Sequence, residues 1–315
     1  MLREILKTEI EKKGFVTFDR FVYLALYHPE YGYYTRKRTK PAPGEDFFTA
    51  PELSSIFGKV IANHIRKISE ERNIPLRILE LGGGKGFLAK DILSSLPVEE
   101  YIILEKNNVA KEIVHSVKIV ENLNEIENFS GFVISNEFFD AFPFKRIRKI
   151  NGELREVVLR KKENELFEDT IPFTEEISCE PEEGCEFSLF TGWNSFLESL
   201  FKKFQSGYFL TIDYGDFCKN LRNRREGTFL SFRKNRVERD YLRFIGEVDL
   251  TSRVDFSYLK NLLARYLTSI EIKPQSEFLL SEGIEQFLSP EDTITALTLI
   301  VDMGRKFKVL SGFKN

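Results

Sequence analysis

Apolar residues recur at helical spacing through the first quarter of the chain. Leu2, Ile5, Leu6 and Ile10 share one face of a charge-alternating stretch, and Phe18, Phe21, Val22 and Ala25 repeat the pattern after Thr17, which predicts two amphipathic helices. An aromatic loop from His28 to Tyr34 follows, then a basic stretch in which Pro41 and Pro43 exclude regular helix. Thr49 and Glu52 have capping-box spacing, and Leu53, Ile56, Phe57, Val60, Ile61, Ile65 and Ile68 trace one face, so a long helix is predicted from about Ala50.

From Arg77 the pattern changes to short, continuous apolar runs: Ile78–Leu81, Tyr101–Leu104, Lys118–Val120 and Phe132–Ser135. Runs of this kind belong to strands buried on both faces, and their alternation with helices predicts a doubly wound α/β fold with a parallel sheet. The regularity then breaks. Phe144–Ile150 and Leu154–Arg160 flank Asn151-Gly152, a type I′ hairpin signal, and a Glu-rich segment from Lys161 to Glu186 reads as irregular. A helix carrying Trp193, Phe196, Leu197, Leu200 and Phe201 leads to a fifth buried strand, Tyr208–Ile212. Beyond an Arg-rich insertion, a helix from Phe256 to Leu267, strands near Ile270–Ile272 and Phe307–Leu310, and a helix after Ser289-Pro290 complete the chain. The expected organisation is an N-terminal helical segment over 1–75, a sheet core from 76–142, 207–215 and 254–315, and an inserted α+β lobe from 143–206 and 216–253.

Charge narrows the choice of partner. Lys and Arg number 46 against 49 Asp and Glu, so no large cationic field is available to hold nucleic acid by its phosphates. No apolar run reaches the roughly 18 residues of a membrane span, and a cytoplasmic protein is expected. Three cysteines and three histidines, none at metal-ligand spacing, argue against a disulfide framework and against a zinc site.

The chemistry concentrates in the stretch Glu80-Leu81-Gly82-Gly83-Gly84-Lys85-Gly86, between a predicted strand and a predicted helix. Gly82, Gly83, Gly84 and Gly86 let backbone turn sharply and approach a ligand closely, at the position where open α/β sheets bind theirs. A dinucleotide site requires G-x-G-x-x-G, whereas the spacing here is G-x-G-x-G with Glu80 two residues ahead; a carboxylate there repels pyrophosphate and attracts a cationic amine. Glu105 ends the second strand, where it suits a ribose diol of either ligand class. Asn136, Glu137 and Asp140 follow the fourth strand, and a carboxylate pair there can orient a guanidinium through bidentate hydrogen bonds.

With these motifs in place the chain resembles the MidA family of class I methyltransferases, which includes a mitochondrial complex I assembly factor. The blocks that carry the resemblance run in order over most of the chain: Leu26 to Tyr34, Asp46 to Leu53, Glu80 to Gly86, Asn136 to Pro143, Asp213 to Gly215, Asp249 to Phe256 and Met303 to Leu310. The resemblance implies a seven-stranded Rossmann-like sheet with an added lobe, S-adenosyl-L-methionine as cofactor, and protein arginine ω-N methylation toward symmetric dimethylarginine. It implies a protein substrate, in the mitochondrial member a respiratory-chain subunit, and leaves a homodimer open. Thr49 and Pro51 fall in the segment over the cofactor, and His28, Tyr33 and Asp255 fall in blocks assigned to substrate contact. Lys85 replaces a common Arg, and Asn235 and Arg253 replace common His residues, so proton handling falls to carboxylates. A small-molecule N- or O-methyltransferase, a non-catalytic assembly factor and a nicotinamide-dependent oxidoreductase are the competing readings.

Overall fold

The computed structural model describes residues 1–35, 49–107, 109–234 and 236–315. The basic stretch with Pro41 and Pro43, the Asp46 to Phe48 part of its block, and Asn235 lie outside the described residues. Two compact units are formed: Met1–Phe47, Asp140–Trp193 and Phe217–Tyr258 make one, and Phe48–Phe139, Asn194–Asp216 and Leu259–Asn315 the other.

The second unit is built on strands β1 (Arg77–Leu81), β2 (Glu100–Leu104), β3 (Lys118–Val120), β4 (Phe129–Asn136), β5 (Phe204–Asp216), β6 (Thr268–Pro274) and β7 (Phe307–Lys314). They lie in the order β3-β2-β1-β4-β5-β7-β6. Neighbours from β3 to β5 are parallel, and β7 runs antiparallel to both β5 and β6. The apolar runs predicted as strands are therefore strands, and their near-continuous hydrophobicity follows from burial on both faces. Ile78, Ile103, Phe132, Ile134, Leu210 and Ile212 face helices α1 (Ser55–Arg72) and α2 (Phe87–Ser95), whose Val60, Ile61, Leu88 and Ile92 are buried with them. On the opposite face Phe209 packs on Phe201 of helix α3 (Trp193–Lys203). Each such Phe or Ile contributes about 2 kcal/mol when removed from water.

Two elements differ from expectation. The long helix does not start near Ala50. Ala50–Leu53 is a single short turn, Ser54 is extended at φ −167°, and α1 starts at Ser55 with the Ser54 hydroxyl accepting from Ile56 N at 3.2 Å. The Thr49 side chain makes no cap bond, and it is Ser54, five residues on, that caps the long helix. The helix expected after Ser289-Pro290 is present as Thr293–Leu297, opened by a reciprocal Ser289–Asp292 box and continued by a wide π turn over Thr298–Asp302. The Glu-rich segment holds a further strand.

The first unit contains the hairpin. Asn151 and Gly152 stand at φ +53° and +79°, as the type I′ turn requires, between antiparallel strands Phe144–Ile150 and Glu153–Lys162. Glu165–Pro172, Glu186–Phe190 and Val16–Thr17 extend this sheet. Glu165–Pro172 reads as polar because one sheet face is open to solvent. Its core is partly polar: Arg146 lies between the rings of Phe18 and Phe229, 4.6 and 4.7 Å from their centres, with Glu186 accepting from its Nε at 2.6 Å and Glu168 from its Nη1. A guanidinium so buried persists because stacking and paired carboxylates replace its water.

A further correction concerns cysteine. Cys179 and Cys218 of the first unit form a disulfide, and Cys185 is free and buried. Thirty-nine residues separate the pair in sequence; folding supplied the proximity that spacing could not reveal.

Candidate active site

The parallel register sets Leu81 beside Ser135, so the loop after β1 and the turn after β4 leave adjacent strands at one edge of the sheet. Connections diverge there, and open α/β sheets leave a crevice at such a point.

The loop after β1 is bare by necessity. Gly82, Gly84 and Gly86 have φ of +71°, +51° and +85°. Gly83 has ordinary φ, yet a Cβ on it would stand 2.6 Å from Ile103 Cγ2, and one on Gly82 would stand 2.7 Å from the Phe138 ring. At Gly84 a Cβ would meet nothing within 4 Å, so this part of the loop presents backbone to open space. Lys85 reaches Glu52 at 3.3 Å and ties the loop to the short turn bearing Thr49 and Pro51.

Glu80 is 3% exposed on the face of the sheet that packs against α1 and α2. Tyr101 OH donates to its Oε2 at 2.8 Å. Burial pushes its pKa up to about 7, with the hydrogen bond from Tyr101 opposing and the charge of Glu105 assisting the rise. Glu105, also raised by burial, accepts Gly84 N at 3.1 Å and Lys106 N at 2.6 Å. The two carboxylates thus bracket the glycine loop, one beneath it and one beside it.

The turn after β4 is held in an unusual conformation. Glu137 has φ +53°, a left-handed backbone that costs a non-glycine residue about 1 kcal/mol or more. Its N–H donates to Ile212 O at 2.8 Å, and Asn136 Nδ2 donates to Glu137 Oε1 at 3.0 Å. Asn136 Oδ1 is buried and has no hydrogen-bond partner among the described residues. Beneath the turn a polar chain runs through fully buried ground: Ser135 Oγ donates to Thr211 Oγ1 at 2.7 Å, Thr211 Oγ1 to Asp213 Oδ2 at 3.2 Å, and Phe139 N to the same carboxylate oxygen at 3.3 Å. Asp213 therefore pins one end of the turn and Ile212 O the other.

Glu80, Glu105, Gly82, Gly83, Gly84, Gly86, Asn136, Glu137, Thr49 and Pro51 all belong to the sheet unit. Asp140, His28, Tyr33 and Asp255 belong to the other, where each has local partners. Thr251 Oγ1 donates to Asp140 Oδ2 at 3.1 Å. His28 Nδ1 accepts Glu30 N at 3.3 Å and the ring stacks on Tyr31, while Tyr33 N donates to Ala25 O as the aromatic loop folds back on helix Phe18–Tyr27. Asp255 Oδ1 accepts Ser257 N at 2.9 Å at the head of the helix Phe256–Leu263, and burial raises its pKa against that bond. Sequence reasoning gave no role to Tyr101, Ser135, Thr211 or Asp213. Polar residues at alternate positions in apolar strand runs were the available signal, since a buried polar group needs a stated partner.

Comparisons with known proteins bear on the family and the fold. A family model for S-adenosyl-L-methionine-dependent methyltransferases matches residues 56–272, more than half of the chain. Protein arginine methyltransferase NDUFAF7, mitochondrial, of Homo sapiens is 25% identical over 344 residues, covering 90% of this chain and 74% of that protein. The Drosophila melanogaster homologue is 25% identical over 312 residues, covering 83% and 69%. In fold, a Burkholderia thailandensis protein crystallised with S-adenosyl-homocysteine superposes with a TM-score of 0.87 at 24% identity, covering 100% of this chain and 92% of that one.

The residues present fit the cofactor. Open backbone at Gly84, carboxylates on both sides of the loop and the orphaned oxygen of Asn136 are acceptors and space of the kind a cationic amino acid joined to a ribose diol requires. The chain belongs to the MidA-like family of S-adenosyl-L-methionine-dependent methyltransferases.

Proposed function

We propose that this methyltransferase acts on arginine nitrogens of a partner protein. The observation that carries the reading is the turn after β4, where the strained Glu137 and the orphaned Asn136 oxygen stand next to Phe138, which packs on the glycine loop. The cofactor supplies a methyl group on a cationic sulfonium, open to in-line displacement. In this reading Glu80, Gly82, Gly83, Gly84 and Gly86 take its methionine portion, Glu105 its ribose, and Thr49 and Pro51 border it. Asn136, Glu137 and Asp140 serve the acceptor: a carboxylate accepts two N–H bonds of the guanidinium and holds its charge away from the attacking nitrogen. His28, Tyr33 and Asp255 contact the peptide around the target arginine.

The names of the relatives support arginine as the acceptor. A respiratory-chain subunit is the partner class proposed, with a homodimer as the working assembly. The compartment proposed is the cytoplasm, although the relatives are named as mitochondrial; fractionation of the source cells decides. Among the described residues no helix is long and apolar enough to cross a membrane.

The test is transfer of labelled methyl groups to a proteome from cells lacking the protein, followed by hydrolysis and amino-acid analysis. Label in methylated arginine, lost in Glu137→Gln, is the expected result. Label confined to metabolites rejects the protein substrate.

A further inference from the structure

We propose that Cys218 is a thiol-exchange site for small anionic thiols, a chemistry independent of methyl transfer. The two sulfurs of the Cys179–Cys218 disulfide are unequally placed. Cys179 is 2% exposed and packs with Phe187 and Leu221, whereas Cys218 is half-buried and lines an open groove of about 700 Å³. A thiolate cleaves a disulfide by attacking one sulfur and expelling the other, so access determines which sulfur is attacked. Here that sulfur is Cys218 Sγ.

The remaining groove residues are Glu182, Phe217, Lys219, Arg222 and Ser257. Lys219 is exposed, and Arg222 Nε makes no hydrogen bond among the described residues, its nearest charge being Glu182 at 3.8 Å. Two cations against one carboxylate give the groove lining a net positive charge, which draws an anionic thiol into the groove. A carboxylate oxygen of Asp255 lies within 4.8 Å of both sulfurs. Its negative charge opposes the incoming thiolate as well as a lasting one, so the charge preference is set by the groove lining on approach and not at the sulfur.

The step balances without another reactant. The incoming thiolate forms a bond to Cys218 Sγ, the bond to Cys179 breaks, and its electron pair leaves on Cys179, which takes a proton from water and rests as a thiol. The product is a mixed disulfide on Cys218, which frees the stretch bearing Cys179 from the first turn of the helix Cys218–Leu221. Cys218 N donates to Ser257 Oγ at 3.1 Å, so the change begins two residues from Asp255.

The test uses the full chain purified without reductant. It is exposed to 2-mercaptoethanesulfonate or to cysteamine at equal thiolate concentration, quenched with acid and mapped by mass spectrometry. Expected is a single adduct on Cys218, formed about tenfold faster by the anionic thiol at low salt. That preference should vanish in Lys219→Glu/Arg222→Glu and in about 0.5 M salt. The Cys179→Ala variant, given the oxidised reagents, should form the same adduct with the same charge preference. Three alkylatable cysteines in the unreduced protein, an adduct on Cys179, exchange only in urea, or equal rates for both thiols would each overturn the proposal.

Discussion

Glu80 illustrates how much one buried carboxylate can govern. Its ordinary pKa of 4.5 rises to about 7 in the folded, cofactor-free protein, so between those values the folded chain binds more protons than the unfolded one. Stability therefore declines as pH rises through that window and is lowest above it. Glu80→Gln should raise the melting temperature at pH 8, by an amount equivalent to ~1–3 kcal/mol, and change it little at pH 4.5. The same variant should weaken S-adenosyl-homocysteine about tenfold at pH 8, and wild-type affinity should fall as pH drops below 7. Calorimetric titration showing equal affinity at pH 6 and pH 8 would contradict the assignment of Glu80 to the ligand's amino group. Glu137 poses the opposite balance. Its left-handed backbone is a standing cost, so Glu137→Gly should stabilise the protein by about 1 kcal/mol in denaturant unfolding while lowering kcat roughly 100-fold or more. A destabilised or fully active variant would mean the strain has another purpose.

At the scale of elements, the crevice depends on how two connections fit against one another. Gly83→Ala places a Cβ 2.6 Å from Ile103 of β2, an overlap that costs roughly 1–3 kcal/mol. Ile103→Ala removes the obstructing atoms, so the double variant should lose less than the two singles together, a coupling visible in equilibrium unfolding. Asp213 acts through the turn after β4 as a positioning residue. Asp213→Ala removes the carboxylate that accepts the buried Phe139 N–H and should lower kcat at least about tenfold with S-adenosyl-homocysteine affinity held within twofold, while Asp213→Asn, which still accepts that bond, recovers most of the rate. A parallel loss of affinity would place Asp213 in cofactor binding. The β1 strand, its glycine loop and the strand ending at Asn136 were legible from their apolar runs and spacing, because a parallel sheet writes its burial directly into sequence. The strand Glu165–Pro172 and the break at Ser54 were not, because a half-exposed strand and a local cap each resemble loop composition.

For the molecule as a whole, the two units are stabilised differently. The sheet unit relies on apolar packing, while the other holds Arg146 between two rings and two carboxylates and closes a 39-residue separation with a disulfide. Cross-linking at that separation restricts the unfolded chain by about 4 kcal/mol in the loop-entropy account. Cys179→Ser and Cys218→Ser should each cost about that much, and the double variant no more than either single, as read by unfolding without reductant. Additive losses would show that the cysteines contribute through packing and not through their bond.

Composition and order along the chain were enough to specify an α/β protein with a glycine loop flanked by acidic residues, because strand burial, loop conformation and charge are properties of adjacent residues. Tertiary structure alone decided which distant groups meet. It joined Cys179 to Cys218, laid Tyr101 against Glu80, and set Asp213 under the turn that carries Glu137. Those pairings depend on strand order and register, which arise from how the whole sheet closes and leave no local mark in any one segment.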